Sequence, residues 1–280
     1  KIFNVGFGIL VCVRVFVPLI CLCLFKNISN SAFIILIYYS NFNSIFYNIN
    51  IIYNNYIMSI KRIIKDVVQL IKEPLTEQGI YYKHDDDDIN IGYALILGPK
   101  NTIYQYGFYL FKFIFTDKYP TKPPTVVYLT NNYNIRFHPN LYRNGKCCLS
   151  ILNTWSGEQW SSCQSISTIL LSLLILFNND PLLNEPGITK RHIDYNNYNN
   201  VIQYYNYLTA FYEIGTNKIN IPIRNIFKDI IDNYYKNNKE KVISHIQSLN
   251  ISKQNLYIKL YSINAIIDYK GFITKIELNI

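Results

Sequence analysis

The stretch FHPNLYRNGKCCLSIL, residues 137–152, sets a polar turn directly before two cysteines and a short apolar run. His138-Pro139-Asn140 interrupts any helix or ladder, because Pro139 has no N–H to donate. Asn144-Gly145 is a turn dipeptide whose residues tolerate positive φ. Cysteine is therefore expected at a loop edge, accessible, with Arg143 and Lys146 nearby and backbone amides unpaired, surroundings that favour a reactive thiolate over an inert thiol. Against this, a cysteine taken alone is more often a small buried hydrophobe than a nucleophile. A metal reading would use His138, Cys147, Cys148 and Cys163, but the chain has no C-x-x-C pair and adjacent cysteines chelate one tetrahedral ion poorly. A redox reading of Cys147-Cys148 is weak because the usual dithiol motif spaces its thiols by two residues.

Working outward, Ile89 to Leu97, Phe108 to Phe115 and Val126 to Leu129 are strand-like apolar and aromatic runs. Gly98-Pro99 and Gln105-Tyr106-Gly107 are turn signals between the first two, which gives an antiparallel meander. Tyr119 to Pro124, YPTKPP, makes a rigid corner. Upstream, Ile60, Ile63, Ile64, Val67, Val68 and Ile71 recur at helical spacing, with Ser59 as N-cap and Pro74 closing the run. Lys61, Arg62 and Lys65 fall on its outer face. Downstream, Ile166, Ile169, Leu170, Leu173, Leu174 and Phe177 mark a buried helix that should lie against the sheet. Tyr195 to Tyr212 reads as another helix. Beyond residue 216, Ile226, Ile230, Ile231, Tyr234 and Tyr235 suggest one amphipathic helix and Val242, Ile243 and Ile246 a second; the last thirty residues carry no assignment. Asp85 to Asp88 reads as a solvated turn, since no EF-hand spacing follows.

An HPN tripeptide followed at this interval by a cysteine and CLxIL resembles the active-site segment of the ubiquitin-conjugating enzymes. Cys148 stands at that interval, and Cys147 fills a position usually apolar in the family, so it reads as strand packing. The segments GPKNTIYQYGFYLFKFIFTDKYPTKPPTVVYLT (98–130) and WSGEQWSSCQSISTILLSLLILFNNDPLLNEPG (155–187) resemble the family's hairpins and YPxxPP corner, then its long loop, central helix and acidic exit loop. The resemblance covers residues 58–215 in motif order. It implies an α+β UBC-type fold: an N-terminal helix, an antiparallel four-stranded meander, a central helix and C-terminal helices.

It further implies that Cys148 accepts ubiquitin, or a ubiquitin-like protein, as a thioester from an activating enzyme and passes it to a substrate lysine, usually with a ligase. The Asn140 carboxamide would donate to the oxyanion, or else only hold the loop through turn hydrogen bonds. Glu185 would orient or deprotonate the incoming amine, or else be a solvated loop carboxylate. Lys61, Arg62 and Lys65 would dock on the activating enzyme, or else be a solvated helix face. His138 reads as a structural loop residue. No cofactor or metal is implied: the activating enzyme consumes ATP, and this chain has no phosphate-binding glycine loop. Thr121 stands where many members carry a ligase-gripping aromatic residue, and Ser161-Ser162-Cys163 where many carry proline, so ligase choice is open. Trp155-Ser156-Gly157 lengthens the loop before Trp160 and resembles the Z-type subgroup, which also has a C-terminal extension. The competing reading is a catalytically silent ubiquitin- or ligase-binding module of the same fold, against which Cys148 argues.

The chain of 280 residues, 50% hydrophobic, holds one ordinary domain with extensions: 1–57 hydrophobic, 58–215 conjugating core, 216–280 partly helical. Its net charge of +9 is scattered, without a nucleic-acid motif, which leaves solubility and steering of acidic partners. Val5 to Phe25 is long enough to span a bilayer, although Arg14 near its centre costs about 2.5–3.5 kcal/mol and Pro18 interrupts it. Met58, the single methionine, stands where the resembled domain begins. Residues 1–57 are thus either a membrane anchor, making a tethered scaffold, or a non-native or truncated upstream extension. Three of six cysteines lie in that segment, so no disulfide framework is implied; a reducing compartment, cytoplasmic or nuclear, fits.

Overall fold

A computed structural model describes residues 53–131 and 134–278, and by backbone alone residues 2–5, 8–13 and 20–25. Contacts divide the chain into Lys1–Asn54 and Asn55–Ile280. In the first unit, β1 (Ile2–Val5), β2 (Gly8–Val13) and β3 (Ile20–Phe25) form an antiparallel sheet in that order. The expected span over Val5–Phe25 is therefore strand wherever it is described. Val11, Val13 and Ile20 are β-branched and suit a pleated sheet better than a helix. Arg14 and Pro18 lie outside the described residues. Among those described, no helix is long and apolar enough to cross a membrane.

Residues 53–72 form α1, which precedes the sheet of the second unit. Ser59 does not cap this helix: it lies inside it, buried, and donates its hydroxyl to the Thr116 carbonyl at 2.8 Å. The buried stripe is Ser59, Ile63, Asp66 and Leu70, while Ile64, Val68 and Ile71 are 48%, 42% and 73% exposed. One residue of helix is about 100° of rotation, so the core takes a stripe turned by one residue from the apolar pattern. Asp66 makes that possible because its carboxylate is satisfied, by Arg62 Nε at 2.8 Å and by the Tyr119 hydroxyl.

Four antiparallel strands follow in meander order: β4 (Ile80–His84), β5 (Ile91–Leu97), β6 (Phe108–Ile114) and β7 (Thr125–Tyr128). Register pairs Ile96 with Tyr109 and Ala94 with Phe111, and this face meets Phe177 at the end of α2 (Ile166–Leu176), which stacks on Tyr109 at 4.1 Å. Adjacent strand residues point to opposite faces. Phe108, next to Tyr109 and equally buried, accordingly packs on the other side, against Phe211 and Tyr234 from the C-terminal helices. α2 starts with a capping box between Ser165 and Thr168 and buries Ile166, Ile169, Leu170, Leu173 and Leu176. The YPTKPP corner contains a cis Tyr119–Pro120 peptide, and Pro120 accepts from the Trp160 indole N–H at 2.7 Å.

α3 (Tyr195–Tyr205) continues as a π-helical stretch, Asn206–Glu213. Buried Asn206 accepts from the Tyr109 hydroxyl at 2.6 Å and donates to the Gln105 carbonyl at 2.8 Å, tying this helix to the sheet. The two helices expected after residue 216 are one, α4 (Lys228–Leu249); the polar run Lys236 to Lys241 that separates the apolar groups contains no helix breaker. The unassigned tail forms a hairpin, β8 (Gln254–Ile258) and β9 (Ile263–Ile267), then α5 (Tyr269–Glu277), capped by the Asp268 carboxylate.

Candidate active site

Two buried tyrosines set the approach to the HPN turn: the Tyr198 hydroxyl donates to the Arg136 carbonyl and the Tyr104 hydroxyl to the Phe137 carbonyl, both at 2.7 Å. His138 is fully buried, and its Nδ1 accepts from the Asn140 N–H at 3.0 Å. That bond uses Nδ1 as an acceptor, and Asn184 Nδ2 lies 3.3 Å from the other ring nitrogen, Nε2. Burial, with Arg136 adding to it, pushes the His138 pKa down to about 3, so the imidazole stays neutral.

Asn140 holds Cys148 at two points. Its carbonyl accepts from the Cys148 N–H at 2.9 Å, and its side-chain Nδ2 donates to the Cys148 carbonyl at 2.7 Å. The Asn140 Oδ1 is buried without a hydrogen-bond partner among the described residues. Between them the chain turns back through Asn144-Gly145. Gly145 has φ +88°, and a Cβ there would meet Tyr128 O and Val127 Cγ1 at 3.0 Å, so the expected turn is both glycine-dependent and pressed against β7.

Cys148 is only 2% exposed, not accessible as its loop-edge position suggested. The reason is the clamp: the HPN turn folds back until Leu141 pairs with Cys147 and Asn140 with Cys148, enclosing the cysteine backbone. Nor do the neighbouring cations gather at the thiol. Arg143 donates to the Tyr261 carbonyl at 2.9 Å, and Lys146 lies over the Tyr142 ring. Cys147 is buried in the core, where desolvation pushes its thiol pKa up.

Glu185 follows the 3₁₀ turn Pro181–Asn184 and is half-buried. It is not a solvated loop carboxylate: its Oε2 accepts from the Tyr261 hydroxyl at 2.6 Å. Tyr261 belongs to the β8–β9 turn, and sequence reasoning missed it because that tail carries no periodic pattern. Asp194 was missed too. It stands directly before α3, and its buried carboxylate accepts from the backbone N–H groups of Lys259 (3.3 Å) and Leu260 (2.9 Å).

On α1, Lys61 and Lys65 are exposed. Arg62 departs from the expected outer face: its side chain is 20% exposed and reaches Asp66, the Ser162 carbonyl at 2.6 Å and the Gln164 carbonyl. It pins α1 to the loop before α2. Among the described residues, no group of three or more His, Cys, Asp or Glu side chains could hold a metal ion.

A four-stranded meander backed by a central helix, with an HPN turn clamped to a cysteine, defines a UBC domain. The family model described as "Ubiquitin-conjugating enzyme" matches residues 62–206, more than half of the chain, and the chain belongs to that family. Its relatives include Z-type members. It is 37% identical over 227 residues to ubiquitin-conjugating enzyme E2 Z of Danio rerio, covering 78% of this chain and 66% of the relative. It is 40% identical over 179 residues to the E2 Z of Homo sapiens, covering 62% and 50%. A probable ubiquitin-conjugating enzyme protein 17 of Caenorhabditis elegans is 39% identical over 137 residues, covering 46% and 19%. The chain thus matches less than two thirds of the length of each.

Proposed function

We propose that the chain is an acyltransferase that accepts ubiquitin, or a ubiquitin-like protein, as a thioester on Cys148 and transfers it to a substrate lysine. Residues 58–215 would be the catalytic core. The observation that carries this is the two-point hold of Asn140 on Cys148. In the first step the Cys148 thiolate attacks the activating enzyme's thioester and expels that enzyme's thiolate. In the second a lysine amine attacks, loses a proton, and expels Cys148. Asn140 has a second side-chain N–H with which to meet the oxyanion, and Glu185 lies on the loop that would face the amine. Lys61 and Lys65 would meet the activating enzyme, which also consumes the ATP; a ligase would bring the substrate. Among the described residues Cys147, Cys148 and Cys163 are unpaired, which fits a cytoplasmic or nuclear setting.

The burial of Cys148 favours the second reading, a silent binding module, and one experiment separates them. The chain is incubated with activating enzyme, ubiquitin and ATP. Wild type should form an adduct that reductant removes, because a thiol displaces ubiquitin from a thioester. Cys148→Ser should lose it or give a reductant-resistant ester, and Cys147→Ser should still charge. An adduct on Cys147 would move the nucleophile by one residue; no adduct with any activating enzyme would favour the binding module.

A further inference from the structure

We propose that Tyr261, outside the family-matched segment, is a positioning residue for lysine attack, its hydroxyl fixing the Glu185 carboxylate with Oε1 turned to the incoming amine. This rests on the acyl-transfer reading and adds to it a residue from the C-terminal extension.

Tyr261 is held from every side. Its ring packs edge-on against Tyr198 at 5.6 Å, and the Arg136 guanidinium lies over it at 4.5 Å. Its carbonyl accepts from Arg143, five residues before Cys148 and inside the turn that leads to it. The two residues before it are fixed by the Asp194 carboxylate. Among the described residues its hydroxyl has one hydrogen-bond partner, Glu185 Oε2. Tyr261 therefore joins the cysteine turn, the exit loop and the start of α3. Glu185 Oε1 accepts no hydrogen bond among the described residues, which leaves one carboxylate oxygen for a substrate ammonium or amine. A glutamate side chain at a loop position samples several rotamers, and holding one before substrate arrives removes that ordering from the reaction step. The tyrosine remains a donor throughout, since burial and the carboxylate both push its pKa up.

The test uses the full chain charged with ubiquitin and chased with free L-lysine. Tyr261→Phe keeps the ring contacts and removes only the donor. Charging should match wild type, while the discharge rate at saturating lysine falls roughly tenfold with KM within about twofold, the size expected when one hydrogen bond to a charged group no longer fixes it. Glu185→Asp, too short to reach the hydroxyl, should show a similar loss without disturbing Tyr261 packing. Tyr261→Phe added to Glu185→Gln should be no slower than Glu185→Gln alone. Tyr261→Phe discharge within twofold of wild type, a faster discharge, or an independent loss in the double variant would overturn the proposal. A wild type that never charges would instead remove the acyl-transfer reading beneath it.

Discussion

Asn140→Ala separates holding the loop from stabilising the oxyanion, because the two roles differ in magnitude. The structural side is small. The substitution removes the 2.7 Å bond to the Cys148 carbonyl and leaves that carbonyl unpaired, a cost of about 1–3 kcal/mol, but it also removes the orphaned Oδ1. A net loss of about 1 kcal/mol remains, and against a typical stability of about 5–15 kcal/mol it leaves nearly every molecule folded. The chemical side is larger, since losing an oxyanion donor costs about 2.7–4 kcal/mol, or about 10²–10³ in rate. Charging passes between two thiolates, which are good leaving groups, and depends less on the donor than amine attack does. The expected result is complete charging, discharge to free lysine slowed at least about a hundredfold, and urea unfolding shifted by about 1 kcal/mol. Discharge within threefold of wild type, with the same shift in stability, would show that Asn140 only holds the loop.

Asp194→Asn should cost about 1.5–3 kcal/mol locally by losing a charged acceptor for two backbone amides, and amide exchange at Leu260 should quicken by at least tenfold; unchanged exchange would refute that anchoring role. His138, held neutral when folded but titrating near 6.5 when unfolded, makes the unfolded chain the better proton acceptor below that pH. Stability should therefore fall by about 2 kcal/mol between pH 6.5 and 5, with the loss continuing toward the folded pKa of about 3, and His138→Gln should flatten that fall in urea titrations relative to wild type. Arg62→Ala, which strips a buried carboxylate of its cation, should cost about 2–3 kcal/mol after discounting the partial exposure of the arginine. Lys61→Ala with Lys65→Ala should change stability by less than about 0.5 kcal/mol yet slow charging; equal stability losses in the two variants would show that Arg62 is not the pin described.

The sequence was most legible where local chemistry and tertiary packing agree. The β5 and β6 runs, the α2 stripe and the Asn144-Gly145 turn all appear where residue type alone put them, within a residue or two. It was least legible where a polar group decides the packing. α1 is turned by one residue because Asp66 enters the core with two partners already in place, and no hydropathy pattern anticipates a buried carboxylate. Cys148 looked accessible because a Pro-Asn-Gly-rich stretch reads as surface loop; its enclosure comes from pairing across eight residues, which spacing alone does not announce. Tyr261 lies 76 residues from Glu185, and nothing in the local sequence of either marks their contact.

Tyrosine is the thread through these long-range contacts. The chain has 26 of them, and a composition reading registers only aromatic bulk. In the fold, Tyr104 and Tyr198 each put a ring in the core and a hydroxyl on the backbone leading to the HPN turn. Tyr109 does the same for Asn206, Tyr119 for Asp66, Tyr195 for Asp180 and Tyr261 for Glu185. An aromatic side chain with a polar tip can reach from an apolar layer to a distant loop, losing little rotamer freedom because it has only two side-chain torsions. Phenylalanine at these places would preserve most of the packing and remove the ties. The backbone leading to the HPN turn is thus tied by hydroxyls from the β5–β6 loop and α3, and Glu185 by one from the C-terminal hairpin, in addition to the hold of Asn140 on Cys148.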